Sequence, residues 1–147
     1  MPTTFEFMRQ TKANISDTMD FYMHPEFLTQ IMPDVFKQVT IKSKDADTVV
    51  YEWQAIMMRR KVSGVNRLTF NKDARTITTE TIEMQGGQKG SRMTESFKEL
   101  PKGTEIRITH AMEMGALGFL ARGWWKSVVE KGFDEEVKRL DAKSSQM

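Results

Sequence analysis

The chain has 147 residues, of which 39% are hydrophobic and 29% are charged, and its formal net charge at pH 7 is only +2. That length predicts one globular domain spanning residues 1–147, with enough chain to bury a core. The 22 basic and 20 acidic residues are interspersed, which excludes the basic stripe expected of a nucleic-acid-binding protein.

The first third of the chain predicts a strand followed by two short helices. Phe5 and Phe7 alternate with polar neighbours, which is typical of a half-buried strand. The spacing of apolar residues then becomes helical after a cap at Asn14 or Ser16. A second short helix is predicted for residues 26–31, since a proline precedes it and another follows it.

The middle of the chain is strand-like throughout. Runs rich in Val, Ile, Thr and aromatic residues are separated by short turn clusters such as Asn71-Lys72-Asp73 and Leu100-Pro101-Lys102-Gly103. Because parallel strands need long crossovers, these short links predict an antiparallel meander. The predicted strands are 35–43, 48–58, 60–70, 75–84, 89–98 and 104–114.

A long helix is predicted from Leu117 to about Ala142. Its apolar stripe drifts around the helix, from Leu117, Leu120, Trp124 and Val128 to a second set that ends at Leu140. We expect the first set to form one wall of a cavity and the second half, 129–140, to be mainly structural. Adjacent helical positions point about 100° apart, so at most one of Trp124 and Trp125 is expected to face the cavity.

The last two strands place a histidine and a glutamate on the inner face of the sheet. Alternation assigns Ile106, Ile108 and His110 to that face. If the hairpin pairs Leu100 with Gly103, Glu95 lies opposite Ile108 and becomes a diagonal neighbour of His110, within side-chain reach.

The same sorting of faces predicts an apolar concavity with a few inward polar groups, which is typical of a small-molecule pocket. The predicted ligand-binding residues are Trp53, Asn66, Phe70, Ser91, Met93, Glu95, His110, Met112, Leu117, Leu120, Trp124 and Val128.

Other classes of site are excluded by residues that the sequence lacks. It has no cysteine and only two histidines, which argues against disulfides and against a metal site, and no motif indicates a cofactor. No segment approaches the roughly 18 apolar residues of a membrane span, and the first residues lack the pattern of a signal peptide. We therefore expect a cytoplasmic protein with no integral membrane segment.

The order of elements resembles the helix-grip fold of the SRPBCC superfamily, which includes START lipid-transfer domains, polyketide cyclases and birch-pollen-allergen-like plant proteins. The resemblance spans nearly the whole chain and rests on the helix break at Met23-His24-Pro25-Glu26, the exit at Ile31-Met32-Pro33, and the final helix at Leu117–Leu140. It implies an α+β fold in which a seven-stranded curved antiparallel sheet, two short helices and a long C-terminal helix enclose a cavity for lipids, quinones, polyketides or other apolar ligands. No catalytic motif of a subfamily is present.

Three functions fit these observations. The leading hypothesis is noncatalytic binding or carriage of an apolar or amphipathic small molecule, whose polar end is oriented by Asn66, Ser91, Glu95 or His110. The second is a cyclase or dehydratase type of enzyme with His110 and Glu95 as acid and base, although this pair also fits a hydrogen-bonded structural role. The third is a protein-interaction module.

Overall fold

The computed structural model describes residues 3–57, 59–85, 91–112 and 118–145. Strands and helices follow one another in the predicted order, and the α+β class is confirmed. The strands are β1 (Thr3–Thr11), β2 (Phe36–Lys44), β3 (Thr48–Met57), β4 (Arg60–Asn71), β5 (Thr76–Gln85), β6 (Ser91–Leu100) and β7 (Gly103–Met112). The helices are α1 (Ile15–Tyr22), a 3₁₀ turn (Pro25–Phe27), α2 (Leu28–Ile31) and α3 (Gly118–Ser145).

The described strands form a seven-stranded antiparallel sheet in the order β1-β7-β6-β5-β4-β3-β2. Strands β2 to β6 each pair with the next strand in sequence, so the predicted meander is confirmed. β1 completes the sheet by pairing with β7. Register shifts in β2 and at Val65/Asn66 in β4 are the bulges that bend strands and curve a sheet.

The predicted register of the β6–β7 hairpin is confirmed. Leu100 pairs with Gly103, Glu95 pairs with Ile108, and Met93 pairs with His110. Gly103 has a φ of +137°, and a Cβ there would lie 2.0 Å from the Thr11 carbonyl oxygen, so the turn requires glycine. The hairpin thereby delivers Glu95 and His110 to the same face of the sheet.

The two predicted short helices are present, with one correction to their form. Asn14 caps α1, since its side-chain oxygen accepts a hydrogen bond from the Asp17 amide at 2.8 Å. The predicted helix at 26–31 is divided into the 3₁₀ turn and α2, because Leu28 N–H bonds to the Pro25 carbonyl three residues back. Tyr22 at the end of α1 is buried against the sheet.

The helix α3 extends past its predicted end at Ala142 as far as Ser145, since no glycine or proline follows to stop it. Its second half is fixed to β1 by polar contacts. Arg9 donates hydrogen bonds to Asp134 at 2.8 Å and to Glu130 at 3.0 Å, while the Thr11 hydroxyl donates to Asp141 at 2.6 Å. These contacts set the rotation of α3 about its own axis.

Candidate ligand-binding cavity

A cavity of about 120 Å³ lies between the inner face of the sheet and the helices. Strands β2 to β7 supply its floor, while α1, the 3₁₀ turn, α2 and α3 supply its walls and roof. Its apolar and aromatic lining includes Phe27, Leu28, Met32, Phe36, Met93, Ile108, Trp125 and Val129. Polar side chains interrupt this surface at two places.

Half of the predicted site residues lie around this cavity. Those that line it are Trp53, Asn66, Ser91, Met93, Glu95 and His110. Phe70 is not among its lining residues; it lies half-buried near the end of β4, where the strand has passed the cavity. Leu117 lies outside the described residues, as do the side chains of Met112 and Leu120.

The residues of α3 that line the cavity lie one position further along the chain than predicted. Trp124 and Val128 are directed toward a surface groove that also contains Ile31, whereas Trp125 and Val129 line the cavity. One residue rotates the side chain by about 100°, so a small error in the phase of the helix exchanges one face for its neighbour. The expectation that at most one of the two tryptophans faces the cavity agrees with this placement.

The first polar group in the cavity is a closed hydrogen-bond network between β3 and β4. The Trp53 indole N–H donates to the Asn66 side-chain oxygen at 2.9 Å, and the Asn66 amide donates to the Tyr51 hydroxyl oxygen at 3.0 Å. Burial raises the pKa of Tyr51 to about 12, so its hydroxyl stays protonated. The indole lies against Gly64, where a Cβ would be 2.6 Å from the ring.

A hydroxyl pair extends this side of the cavity. Thr81 on β5 and Ser91 on β6 approach to 3.1 Å between their oxygen atoms, and of the two Ser91 is among the predicted ligand-binding residues. Both partners satisfy each other, so this pair gives the wall polarity without leaving a buried group unpaired.

The second polar group is a cluster of two carboxyl groups and a phenol. Glu95 on β6, Glu136 on α3 and Tyr22 on α1 are 3%, 7% and 2% exposed, and all three line the cavity. Burial raises the pKa of Glu95 from 4.5 to about 8. Burial, and then repulsion from Glu95, raise the pKa of Glu136 well above its ordinary value. The Glu95 carboxyl group is therefore largely neutral at pH 7.

His110 lies beside this cluster and is also neutral. Burial lowers its pKa from 6.5 to about 4. Its ring stands edge-on to Phe5 and Trp125, with centroid distances of 6.2 and 5.9 Å. Neither ring nitrogen has a hydrogen-bond partner among the described residues, so the hydrogen-bonded structural pair with Glu95 is not formed.

Several buried polar atoms of the cavity are left without a partner in the described protein. They are Tyr22 Oη, Glu95 Oε2, both ring nitrogens of His110, and Trp125 Nε1. A buried donor or acceptor without a partner costs about 1–3 kcal/mol, and native proteins rarely retain several of them together. Their concentration in one cavity leaves hydrogen-bonding capacity there that no described residue uses.

Two residues that line the cavity, Glu136 and Tyr22, were not predicted from the sequence. Glu136 falls seven residues after Val129 and eleven after Trp125, so it continues the face of α3 that lines the cavity. The sequence offered one signal for this site residue, which is that the Glu136 carboxyl group falls in line with the apolar stripe of α3. Of residues 129–140, which were expected to be mainly structural, Phe133 and Leu140 lie in the buried core, whereas Val129 and Glu136 line the cavity.

Other kinds of site find little support in the described residues. No group of three or more His, Cys, Asp or Glu side chains in this part of the chain could hold a metal ion. None of its helices is both long enough and apolar enough to cross a membrane. Its large exposed hydrophobic side chains, Met8 on β1 and Ile82 on β5, belong to strands separated by two others and form no continuous patch.

No protein-family model matches the sequence, and a search of curated proteins finds no match. Solved structures do match in fold. The ZhuI aromatase/cyclase of Streptomyces sp. R1128 aligns over 99% of this chain and 95% of its own, with a TM-score of 0.77 and 14% identity. A START superfamily protein from Mycobacterium smegmatis aligns over 93% and 98%, with a TM-score of 0.72 and 12% identity. Major latex-like protein 151 from Panax ginseng aligns over 94% and 97%, with a TM-score of 0.67 and 8% identity. The chain therefore shares the fold of these proteins, and the predicted helix-grip fold is confirmed.

Proposed function

We propose that this protein binds an apolar or amphipathic small molecule in the cavity between its sheet and α3. The observation that carries the proposal is the combination of an aromatic and aliphatic lining with buried polar atoms that the described protein leaves unpaired. An apolar lining supplies affinity through burial of surface, and a few polar groups supply orientation. Both components are present in one enclosed space.

The size of the cavity limits the ligand. An apolar cavity of about 150 Å³ admits a benzene molecule, and the cavity described above measures about 120 Å³. We therefore expect a single ring or a short chain to enter without movement of the strands. A polycyclic ligand would require displacement of helical side chains such as Met32 or Val129, which lie on the roof rather than on the sheet.

Two neighbouring substitutions on α3 test the location. Val129→Trp places a large ring inside the cavity, whereas Val128→Trp places the same ring in the surface groove. Binding of phenol, as a neutral probe with a single ring, is measured by isothermal titration calorimetry and by native mass spectrometry. We expect Val129→Trp to lose at least tenfold in affinity and Val128→Trp to resemble the parent protein. Equal affinities in both variants, or no binding to the parent, would overturn the proposal.

A second candidate function, acid–base catalysis, is favoured by the state of Glu95 and His110. With pKa values of about 8 and about 4, the carboxyl group holds a proton and the imidazole lacks one at neutral pH. A protonated acid beside a neutral base is the arrangement that general acid–base catalysis needs. In a ketone, His110 would take a proton from the α-carbon while Glu95 protonates the carbonyl oxygen, which yields the enol.

This candidate is tested by proton exchange, which needs no knowledge of the natural substrate. We would incubate cyclohexanone with the protein in D₂O and follow deuterium incorporation at the α-carbons by mass spectrometry. His110→Phe is the variant of choice because an aromatic ring preserves the edge-on packing with Phe5 and Trp125. Faster exchange with the parent protein than with His110→Phe supports catalysis, and equal exchange rates with the two proteins rule it out.

A further inference from the structure

We propose that the polar end of the cavity, formed by Glu95, Glu136 and Tyr22, selects a ligand that carries a protonated amine. This inference rests on the proposed ligand-binding function and names the chemical class of the ligand. Three separate elements, α1, β6 and α3, bring these side chains to the same cavity. Besides burial, Glu136 and Glu95 raise the pKa of the Tyr22 phenol, and Glu95 raises the pKa of Glu136, so the three groups lie within electrostatic reach of one another.

The charge of the lining is one-sided. Among the described residues that line the cavity, two are carboxylic acids and none is a lysine or an arginine. The nearby imidazole of His110 is neutral because burial lowers its pKa to about 4. Glu95 and Glu136 thus have no protein cation opposite them in this part of the chain, which is unusual for buried acids.

An ammonium group would supply what this cluster lacks. It offers three N–H donors, and the cluster offers carboxylate oxygens and a phenol oxygen as acceptors, including the unpaired Glu95 Oε2 and Tyr22 Oη. The attraction between opposite charges is strong in a poorly solvated cavity. A carboxylate ligand would instead meet two acids, and an alcohol would form hydrogen bonds without the ionic attraction.

Amine binding must be coupled to loss of a proton from the site. The titratable groups that line the cavity are Tyr22 from α1, Tyr51 from β3, Glu95 from β6, His110 from β7 and Glu136 from α3. Glu95 is protonated below about pH 8 in the free protein, and a bound cation favours its ionised form. For release of one proton, affinity rises up to about tenfold per pH unit between pH 6 and pH 8, while the ligand amine stays charged.

Three ligands of nearly equal size test the selection. 2-Phenylethylamine, 2-phenylethanol and phenylacetate each carry one ring and a short polar arm, and their affinities are measured by titration calorimetry at pH 6, 7 and 8. We expect the amine to bind at least tenfold more tightly than the alcohol at pH 8, and phenylacetate to bind most weakly. Titrations in buffers with different ionisation enthalpies should show proton release for the amine alone.

Glutamine substitutions identify the responsible groups. Glu95→Gln and Glu136→Gln keep the size of each side chain and remove its charge, and each should reduce the preference for the amine over the alcohol at least fivefold. Glu135→Gln is the matched control, because Glu135 is the exposed neighbour of Glu136 on the same helix. Binding of the alcohol to each variant shows that it is folded.

The possible failures are distinguishable. If the alcohol binds as tightly as the amine at every pH, the ligand-binding function stands and amine selection is overturned. If neither phenol nor any of the three ligands binds, the proposed function fails and the inference fails with it. Tighter binding of phenylacetate than of the amine would also overturn the inference.

Discussion

Replacing the buried carboxyl group of Glu95, which can ionise, by an amide, which cannot, should change how the free energy of unfolding depends on pH. The change is Glu95→Gln, in which an amide replaces the neutral carboxyl group at almost the same size. Folding raises the pKa of Glu95 from 4.5 to about 8, so the folded protein binds the proton more tightly than the unfolded chain does. Its contribution to stability is therefore fully present below pH 4.5 and is lost as the pH rises toward 8.

The magnitude follows from that shift. One pKa unit corresponds to about 1.4 kcal/mol, so a rise from 4.5 to about 8 changes the free energy of unfolding by at most about 5 kcal/mol. His110 acts in the opposite direction, because its lowered pKa removes stability as the pH falls from 6.5 toward 4. We therefore expect the parent protein to lose stability between pH 6.5 and pH 9, where only the acids act.

The assay is urea denaturation followed by circular dichroism at pH 5, 6.5, 8 and 9. Glu95→Gln should resemble the parent at pH 5 and exceed it by about 2–5 kcal/mol at pH 9, since the amide carries no charge to desolvate. Glu99→Gln, at an exposed position on the same strand, is the control and should keep the parental dependence. An unchanged slope in Glu95→Gln would refute the assignment of this titration to Glu95.

Two further predictions concern packing and the attachment of α3. Gly64→Ala places a Cβ 2.6 Å from the Trp53 ring, so we expect the free energy of unfolding to fall by about 1–3 kcal/mol and the tryptophan emission to shift. The control is Gly123→Ala, where a Cβ meets nothing within 4 Å, and it should be neutral or stabilise by up to about 1 kcal/mol. An unshifted emission spectrum in Gly64→Ala would contradict the packing argument. Thr11→Val removes the 2.6 Å hydrogen bond to Asp141 and should lower the free energy of unfolding by about 1–3 kcal/mol in urea, and no loss would show that this contact does not hold α3.

The sheet was predictable because its signal is repeated and local. Alternation along β7 and the short turn at 101–102 together fixed the pairing of Glu95 with Ile108 and of Met93 with His110. A slip of one residue would have sent His110 to the outer face, against the alternation of its neighbours. The side chains on the floor of the cavity were therefore identified from the strands.

The face of α3 was harder to predict. Both sides of this helix contact apolar partners, so Trp124 and Trp125 look equally suitable in sequence, and the drift of the stripe leaves its phase undetermined. Glu136 was passed over because an apolar stripe is traced through apolar residues, and a buried acid interrupts it. Only the packing of α3 against β1 decides which residues turn toward the cavity.

The polar contacts between β1 and α3 also show how carboxyl groups on this helix are paired with a cation. On one side of α3, Arg9 faces Glu130 and Asp134 and forms an ion pair with each. Two residues after Asp134, on the opposite side of the helix, Glu136 has no cation facing it among the described residues that line the cavity. The helix α3 thus carries two acids that have a counterion and a third, Glu136, that has none in the described lining of the cavity. A ligand's amine would neutralise Glu136 as the guanidinium of Arg9 neutralises Glu130 and Asp134.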